Sequence, residues 1–200
     1  MGTLEKQSIE ISGIVEKYLA NKHGDIDALE LKTEKEKLKI HFPPHAAKTV
    51  MHQAAEGSRV MVTYHTEEPE HDDKAAKRPK FKLAAVQGTG DMVDLKDTKP
   101  QKPADEPHTE TIRVSQYELL KDKKGELTGI KAGNKLFHLH KEDAAFTAKL
   151  KPEGDLRITA VKRTDDGFVN KEHEEVYHIQ NISIDGEEYH AKHKHSASEK

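Results

Sequence analysis

The chain repeats one plan twice, and that repetition limits its fold more than any other feature. His23-Gly24-Asp25-Ile26-Asp27-Ala28-Leu29 matches Lys124-Gly125-Glu126-Leu127-Thr128-Gly129-Ile130 at an offset of 101 residues. Ile40-His41-Phe42 matches Phe137-His138-Leu139 at 97, and Gly57 matches Gly154 at the same offset. Leu83 and Val86 match Ile179 and Ile182 at 96. Such small drifts are what loop-length differences between duplicated domains produce. The first falls between Leu31 and Leu38, where KTEKEK is longer than the Ala132-Gly133-Asn134 turn of the second copy. Between the copies, residues 88–110 are acidic and hold Pro100, Pro103 and Pro107. No helical or strand period runs through their Pro-containing half, so they read as a linker. The expected organisation is a first domain at 1–87, the linker at 88–110, a second domain at 111–184 and a His/Lys-rich tail at 185–200.

Periodicity sets the elements within a copy. Ile9, Ile11, Gly13 and Val15 alternate with polar residues along a long first strand. A Gly-containing turn leads to strand 2 near 26–32. On strand 3, Leu38, Ile40 and Phe42 share one face, with Lys37, Lys39 and His41 on the other. Pro43-Pro44 ends it, because proline cannot donate to a ladder. Ala46/Ala47, Val50/Met51 and Ala54/Ala55 then fall at helical spacing, and Gly57 stops the helix. Strand 4 runs from Val60 to Tyr64 and strand 5 from Phe81 to Val86. The second copy predicts a helix near 142–150 and strands near 156–162 and 176–184. Ile40, Phe42, Phe137 and Leu139 are expected in cores, with Lys39, His41 and His138 outward.

Three strands, a helix and two strands is the order of an OB-fold, a small Greek-key barrel. An SH3-like barrel is the runner-up, and it does not ask for a full helix there. The fold class expected is mainly β: two tandem five-stranded OB-fold-like barrels, each with one helix between strands 3 and 4. About 60 residues of the first copy also resemble a group of bacterial OB-like proteins. They carry a G-[DE]-I-D-G-L-x-L signature followed by a hydrophobic-x-F-P-P-H signature. Here these read Gly24-Asp25-Ile26-Asp27-Ala28-Leu29-Glu30-Leu31 and Ile40-His41-Phe42-Pro43-Pro44-His45. Ala28 stands where that group has its second Gly, and the second copy lacks Pro-Pro-His. The resemblance implies the fold and brings no activity with it.

Composition excludes several classes of function. The chain has no Cys, which removes disulfides, thiolate metal sites and thiol nucleophiles. No G-x-S-x-G elbow or G-x-x-x-x-G-K-[ST] loop is present, and catalysis is not expected. Asp25 and Asp27 could share a strand face, but Glu126 and Thr128 replace them in the second copy, so Gly24-Asp25 reads as a turn. No apolar run is long enough to span a bilayer and nothing reads as a signal peptide, so a cytoplasmic protein without membrane contact is expected. The net charge of −3 rules out capture of nucleic acid by bulk charge and leaves only local clusters.

OB barrels bind across strands 2 and 3 and the flanking loops. The cations expected there are Lys37, Lys39, Lys77, Arg78, Lys80, Lys82, Lys123, Lys124, Lys162 and Arg163, with His41 and His138 on the strand face. They suit phosphate contact with single-stranded DNA or RNA. Acids in the same loop, Glu67, Glu68, Glu70, Asp72 and Asp73, oppose this. Only Tyr18, Tyr64, Tyr117 and Tyr177 offer stacking surfaces. No cofactor is expected. The alternatives are a protein–protein adaptor, or divalent metal binding through some of the 14 His. His41, His138 and His140 share a parity on strand 3, His45 and His52 share a helix face, and His190, His193 and His195 crowd the tail. None of these spacings is a recognised ligand set, and no metal site is assigned.

Overall fold

A computed structural model describes residues 8–67, 79–99, 108–164 and 166–191. The protein is mainly β and divides into two compact units, Met1–Gln101 with Asp165–Lys171, and Lys102–Thr164 with Glu172–Lys200. Among the described residues, no helix is long and apolar enough to cross a membrane.

The first unit contains β1 (Ser8–Ala20), β2 (Ile26–Lys32), β3 (Lys37–His41), α1 (Ala47–Gln53), β4 (Arg59–Glu67) and β5 (Lys80–Gln87). Five strands close into a barrel in the order β3-β2-β1-β4-β5, sealed by a parallel pairing of β3 with β5. The long β1 makes closure possible: Ser8–Ile14 pair with β4 and Ile14–Ala20 pair with β2. Gly13 sits at that handover. A Cβ there would lie 2.7 Å from both the Leu31 side chain and the Lys32 carbonyl oxygen, so only glycine allows the approach. Pro43 and Pro44 turn the chain into a 3-10 turn at Pro44–Ala46 that runs on into α1. Ala46, Ala47, Val50 and Ala54 form the buried stripe of this helical stretch. Ile40 and Phe42 are buried and Lys39 is exposed, as strand-3 parity predicts, while His41 is half-buried.

The turn after the first strand recurs in both units. In the first, the Asn21 side-chain oxygen accepts from the backbone N–H of His23 (2.8 Å) and of Asp25 (3.2 Å). In the second, Asp122 accepts from Lys124 (2.8 Å) and Glu126 (2.9 Å). Gly24 and Gly125 follow with φ of 80° and 82°, a conformation that favours glycine.

The first unit extends beyond residue 87, which corrects the expected linker. Val93–Asp94 forms β6 on the edge of β5, and Asp94 caps a 3-10 turn at Leu95–Asp97 by accepting from the Lys96 N–H. Leu95 is buried in the first core. The edge of β5 supplies ladder partners, and Val93 and Leu95 supply apolar area, so this half is folded in spite of its acids. A second addition is Asp166–Lys171. Ile26 N–H donates to Val169 O (2.9 Å), Lys48 N–H to Gly167 O (3.0 Å) and Lys171 N–H to Gly24 O (2.8 Å). Val169 packs against the first core. The Asn170 amide donates to His23 O (3.1 Å) and to the carboxylate of Asp25, which is 2% exposed. Burying a carboxylate is costly unless it is hydrogen-bonded, and this segment provides that bond.

The second unit contains β7 (Thr109–Val114), β8 (Glu118–Lys121), β9 (Leu127–Ala132), β10 (Lys135–His138), α2 (Ala144–Thr147), β11 (Leu156–Lys162), β12 (Glu175–Ile184) and β13 (Glu187–His190). Its sheet runs β7-β11-β12-β10-β9-β8, with β13 beside β12, and it is open. The expected long first strand is here split into β7 and β8. Register explains the break: Val114 lies opposite Leu156, as Gly13 lies opposite Val60. A valine cannot make the close handover that Gly13 makes, so the chain leaves the ladder before resuming as β8. The expected helix near 142–150 shrinks to a 3-10 turn at Lys141–Asp143 and the single turn of α2. β13 lies where the tail was expected. Phe137 and Leu139 are buried in the core, and His138 is half-buried on the outer face.

Candidate functional site

The two units place their strand-3 residues in the same register. Ile40 pairs with Phe81 and His41 with Lys82 across β3–β5. Phe137 pairs with Tyr177 and His138 with His178 across β10–β12. One outward position on the third strand thus holds an imidazole in each unit. Its neighbour is a lysine in the first and a second imidazole in the second.

In the first unit, Lys39 and His41 on β3 and Lys80 and Lys82 on β5 gather on one face. Burial, then the positive charge of Lys39, pushes the His41 imidazole below its ordinary range. Lys80 and Lys82 act in the same direction, and the Asp27 carboxylate opposes them. Two of the expected cations are already engaged: Lys37 pairs with Glu16 at 2.7 Å and Lys82 with Glu67 at 2.7 Å. Lys39 and Lys80 are exposed and make no ion pair among the described residues. Lys77 and Arg78 lie outside the described residues. Three of the four tyrosines are drawn into the cores and give no stacking surface. Tyr18 packs on the first core and donates its hydroxyl to Ala54 O, Tyr64 packs edge-on to Phe81, and Tyr177 is 1% exposed. Tyr117 donates to Lys151 O.

In the second unit, Lys123 and Lys124 are exposed on the Asp122 turn. The backbone N–H of Arg163 donates to Val176 O at 2.8 Å, which continues the β11–β12 pairing by one residue. Lys162 is ion-paired with Glu175, which also accepts from Lys135 at 2.9 Å. Lys135 in addition donates to the Tyr177 hydroxyl at 2.7 Å and lies over its ring. Hydrogen bonds from Lys162 and then Lys135 hold the Glu175 carboxyl down at about 2, against an ordinary 4.5. A lowered folded pKa contributes stability that is complete above the unfolded value and is lost as pH falls through the folded one. This contribution therefore disappears between about pH 5 and pH 2. The side chain is a third exposed, so solvent screening reduces it to about 1–2 kcal/mol. Glu175→Gln is expected to lower stability by that amount at pH 7 and to flatten the acid limb. Urea melts at a series of pH values check it, and an unchanged acid limb would refute the assignment.

The same unit brings together three histidines. His138 ends β10, His178 is its cross-strand neighbour on β12, and His140 follows two residues on with the same parity. Their ring centroids are 4.5 Å apart for His138–His140, 6.0 Å for His138–His178 and 6.1 Å for His140–His178. One ligand atom from each lies within 4.8 Å of the others, and all three side chains are half-buried. His140 is held by a reciprocal pair of bonds. Its backbone N–H donates to the carboxylate of Asp143 at 3.2 Å, and the Asp143 N–H donates back to His140 O at 3.0 Å. The side-chain bond is one half of a capping box and the backbone bond closes a 3-10 turn at the start of the helical stretch; Asp143 is 2% exposed. Parity of strand 3 pointed to His138 and His140; His178 was not singled out. By contrast, His45 and His52 do not act together: His45 bonds to Thr98 O at 3.1 Å and packs edge-on to Phe168, and His52 is exposed. His190 bonds to Asn181, and His193 and His195 lie outside the described residues.

These features describe a mainly β chain with a closed five-stranded barrel and a second, open sheet, carrying a basic face and a histidine cluster respectively. No protein-family model, curated protein or solved structure matches it.

Proposed function

We propose that the protein is a non-catalytic, cytoplasmic binding protein of two OB-fold-like units, and that the first unit holds single-stranded nucleic acid by its phosphates. The observation that carries this reading is the parallel β3–β5 pairing, which gathers Lys39, His41, Lys80 and Lys82 on one face of the barrel. Strand order, closure through the third and fifth strands, and the helical turn between the third and fourth support the OB-like reading. The second unit is then the same plan with its first strand broken and an extra strand at its edge. With Tyr18 and Tyr64 drawn inward in the first unit, binding there rests on phosphate contact, and little base preference is expected.

Lys39 and Lys80 are the cations to test. Each phosphate they neutralise releases a condensed counterion, so affinity depends on salt with a slope of about −0.7 per contact on a single strand. Fluorescence polarisation with labelled oligo-dT and oligo-U at several salt concentrations measures it. Lys39→Glu with Lys80→Glu is expected to weaken binding and to reduce the slope by about 1.4. Binding of neither probe at low salt, or an unchanged slope in the double variant, would overturn the proposal.

A further inference from the structure

We propose that His138, His140 and His178 form a site for one divalent transition-metal ion of the zinc, cobalt, nickel and copper class. This is independent of the nucleic-acid reading, since it lies in the second unit and uses none of the first unit's cations. Imidazole nitrogen is a borderline-soft donor that suits these ions. The cluster includes no carboxylate, whereas calcium and magnesium take oxygen ligands. A tetrahedral ion with bonds of about 2.0–2.1 Å needs its nitrogens about 3.3 Å apart. The present spacing of up to 4.8 Å must shorten by about 1.5 Å, a movement on the scale of side-chain rotation, for all three to bind one ion.

The backbone is what makes this a built site. The β10–β12 ladder sets His138 beside His178, and the buried Asp143 fixes the turn that carries His140. On the same outer face, two residues back along each strand, the paired Leu136 and Val176 are buried. The cluster therefore borders apolar surface and is half-shielded from water. Three protein ligands leave one coordination position for water or an added ligand. At the same register the first unit has His41 beside Lys82, with Pro43 two residues after His41. A lysine and a proline remove two of the three donors there, so one equivalent of metal per chain is expected.

Cobalt reports the site directly, because a four- or five-coordinate Co2+ absorbs visibly and an aquo ion barely does. The experiment uses the full chain carrying His190→Ala, His193→Ala and His195→Ala, so that tail histidines contribute nothing. Expected is one equivalent of Co2+ with an intense visible band, displaced stoichiometrically by Zn2+. His138→Ala, His140→Ala and His178→Ala should each abolish that band. Each should also lower Zn2+ affinity by more than about 10–100-fold, the loss that follows removal of an outer partner alone. His140 lies outside the strand ladders, so His140→Ala tests the ligand set where the other two disturb the sheet; far-UV circular dichroism checks each fold. His41→Ala should leave the band unchanged. Absence of a one-equivalent band in the parent, or its persistence in folded His140→Ala, would overturn the proposal.

Discussion

Replacing Phe137 by Ala is expected to destabilise the second unit by about 3–5 kcal/mol, the range for a fully buried ring. Phe137 is 0% exposed and sits mid-strand on β10, flanked by β9 and β12 through Ile130 and Tyr177. Its ring lies 5.4 Å from that of Tyr177, a contact that adds to the area term. The unit is an open sheet with a single helical turn, so little else can collapse into the cavity. Against a total of about 5–15 kcal/mol, this loss removes a large part of the unit's stability. Urea unfolding followed by the amide signals of β10 and β12 measures it. A change under about 1 kcal/mol would mean that the ring is not the packing centre its burial indicates.

Gly167→Ala is expected to weaken the first unit by about 2–4 kcal/mol, although residue 167 stands far along the chain from β1–β5. Gly167 has a φ of +89°, which strains any L side chain, and a Cβ there would meet His45 O at 2.2 Å. His45 is itself tied to Thr98 O, so the backbone it belongs to cannot easily give way. Relief comes by moving the segment, which breaks the bonds of Gly167 O to Lys48 and of Val169 O to Ile26 and uncovers Asp25. Hydrogen exchange separates this from a diffuse effect: the Ile26 and Lys48 amides should lose protection first. Full protection of both in the variant would refute the role given to the segment.

The residues explain why some of this was legible and some not. Strand 3 of the first copy was readable because a half-buried strand writes its parity into alternation, Leu38, Ile40 and Phe42 in and Lys39 out; in the second copy Phe137 and Leu139 follow that parity, while the outward Leu136 is buried as well. The Gly24 and Gly125 turns were readable because a positive φ demands a particular residue. Residues 88–99 misled because three prolines and six acids in 88–110 outweighed Val93 and Leu95, whose burial depends on the free edge of β5. The second unit's helix, expected near 142–150 from the duplication, is the single turn Ala144–Thr147 after a 3-10 turn, so the duplicated plan overstated its length.

The site divides in the same way. Sequence by itself determined which side chains each strand offers outward, because period 2 is a local property of the backbone: His41, Lys39, His138 and His140 followed from it. Only the tertiary structure decided which of them meet. His178 is 40 residues from His138, and the parallel register of β10 with β12 is set by packing across the whole sheet. The same register puts Lys82 beside His41, which makes one face basic and the other a cluster of imidazoles. Ion pairing was decided there as well: Glu67 and Glu175 reach Lys82 and Lys162 across adjacent strands, and Glu16 on β1 reaches Lys37 on β3 beyond the intervening β2, neighbours that no local pattern specifies. So was the support of Asp25 by Asn170, 145 residues away. A buried carboxylate takes a hydrogen bond wherever the folded chain can supply one.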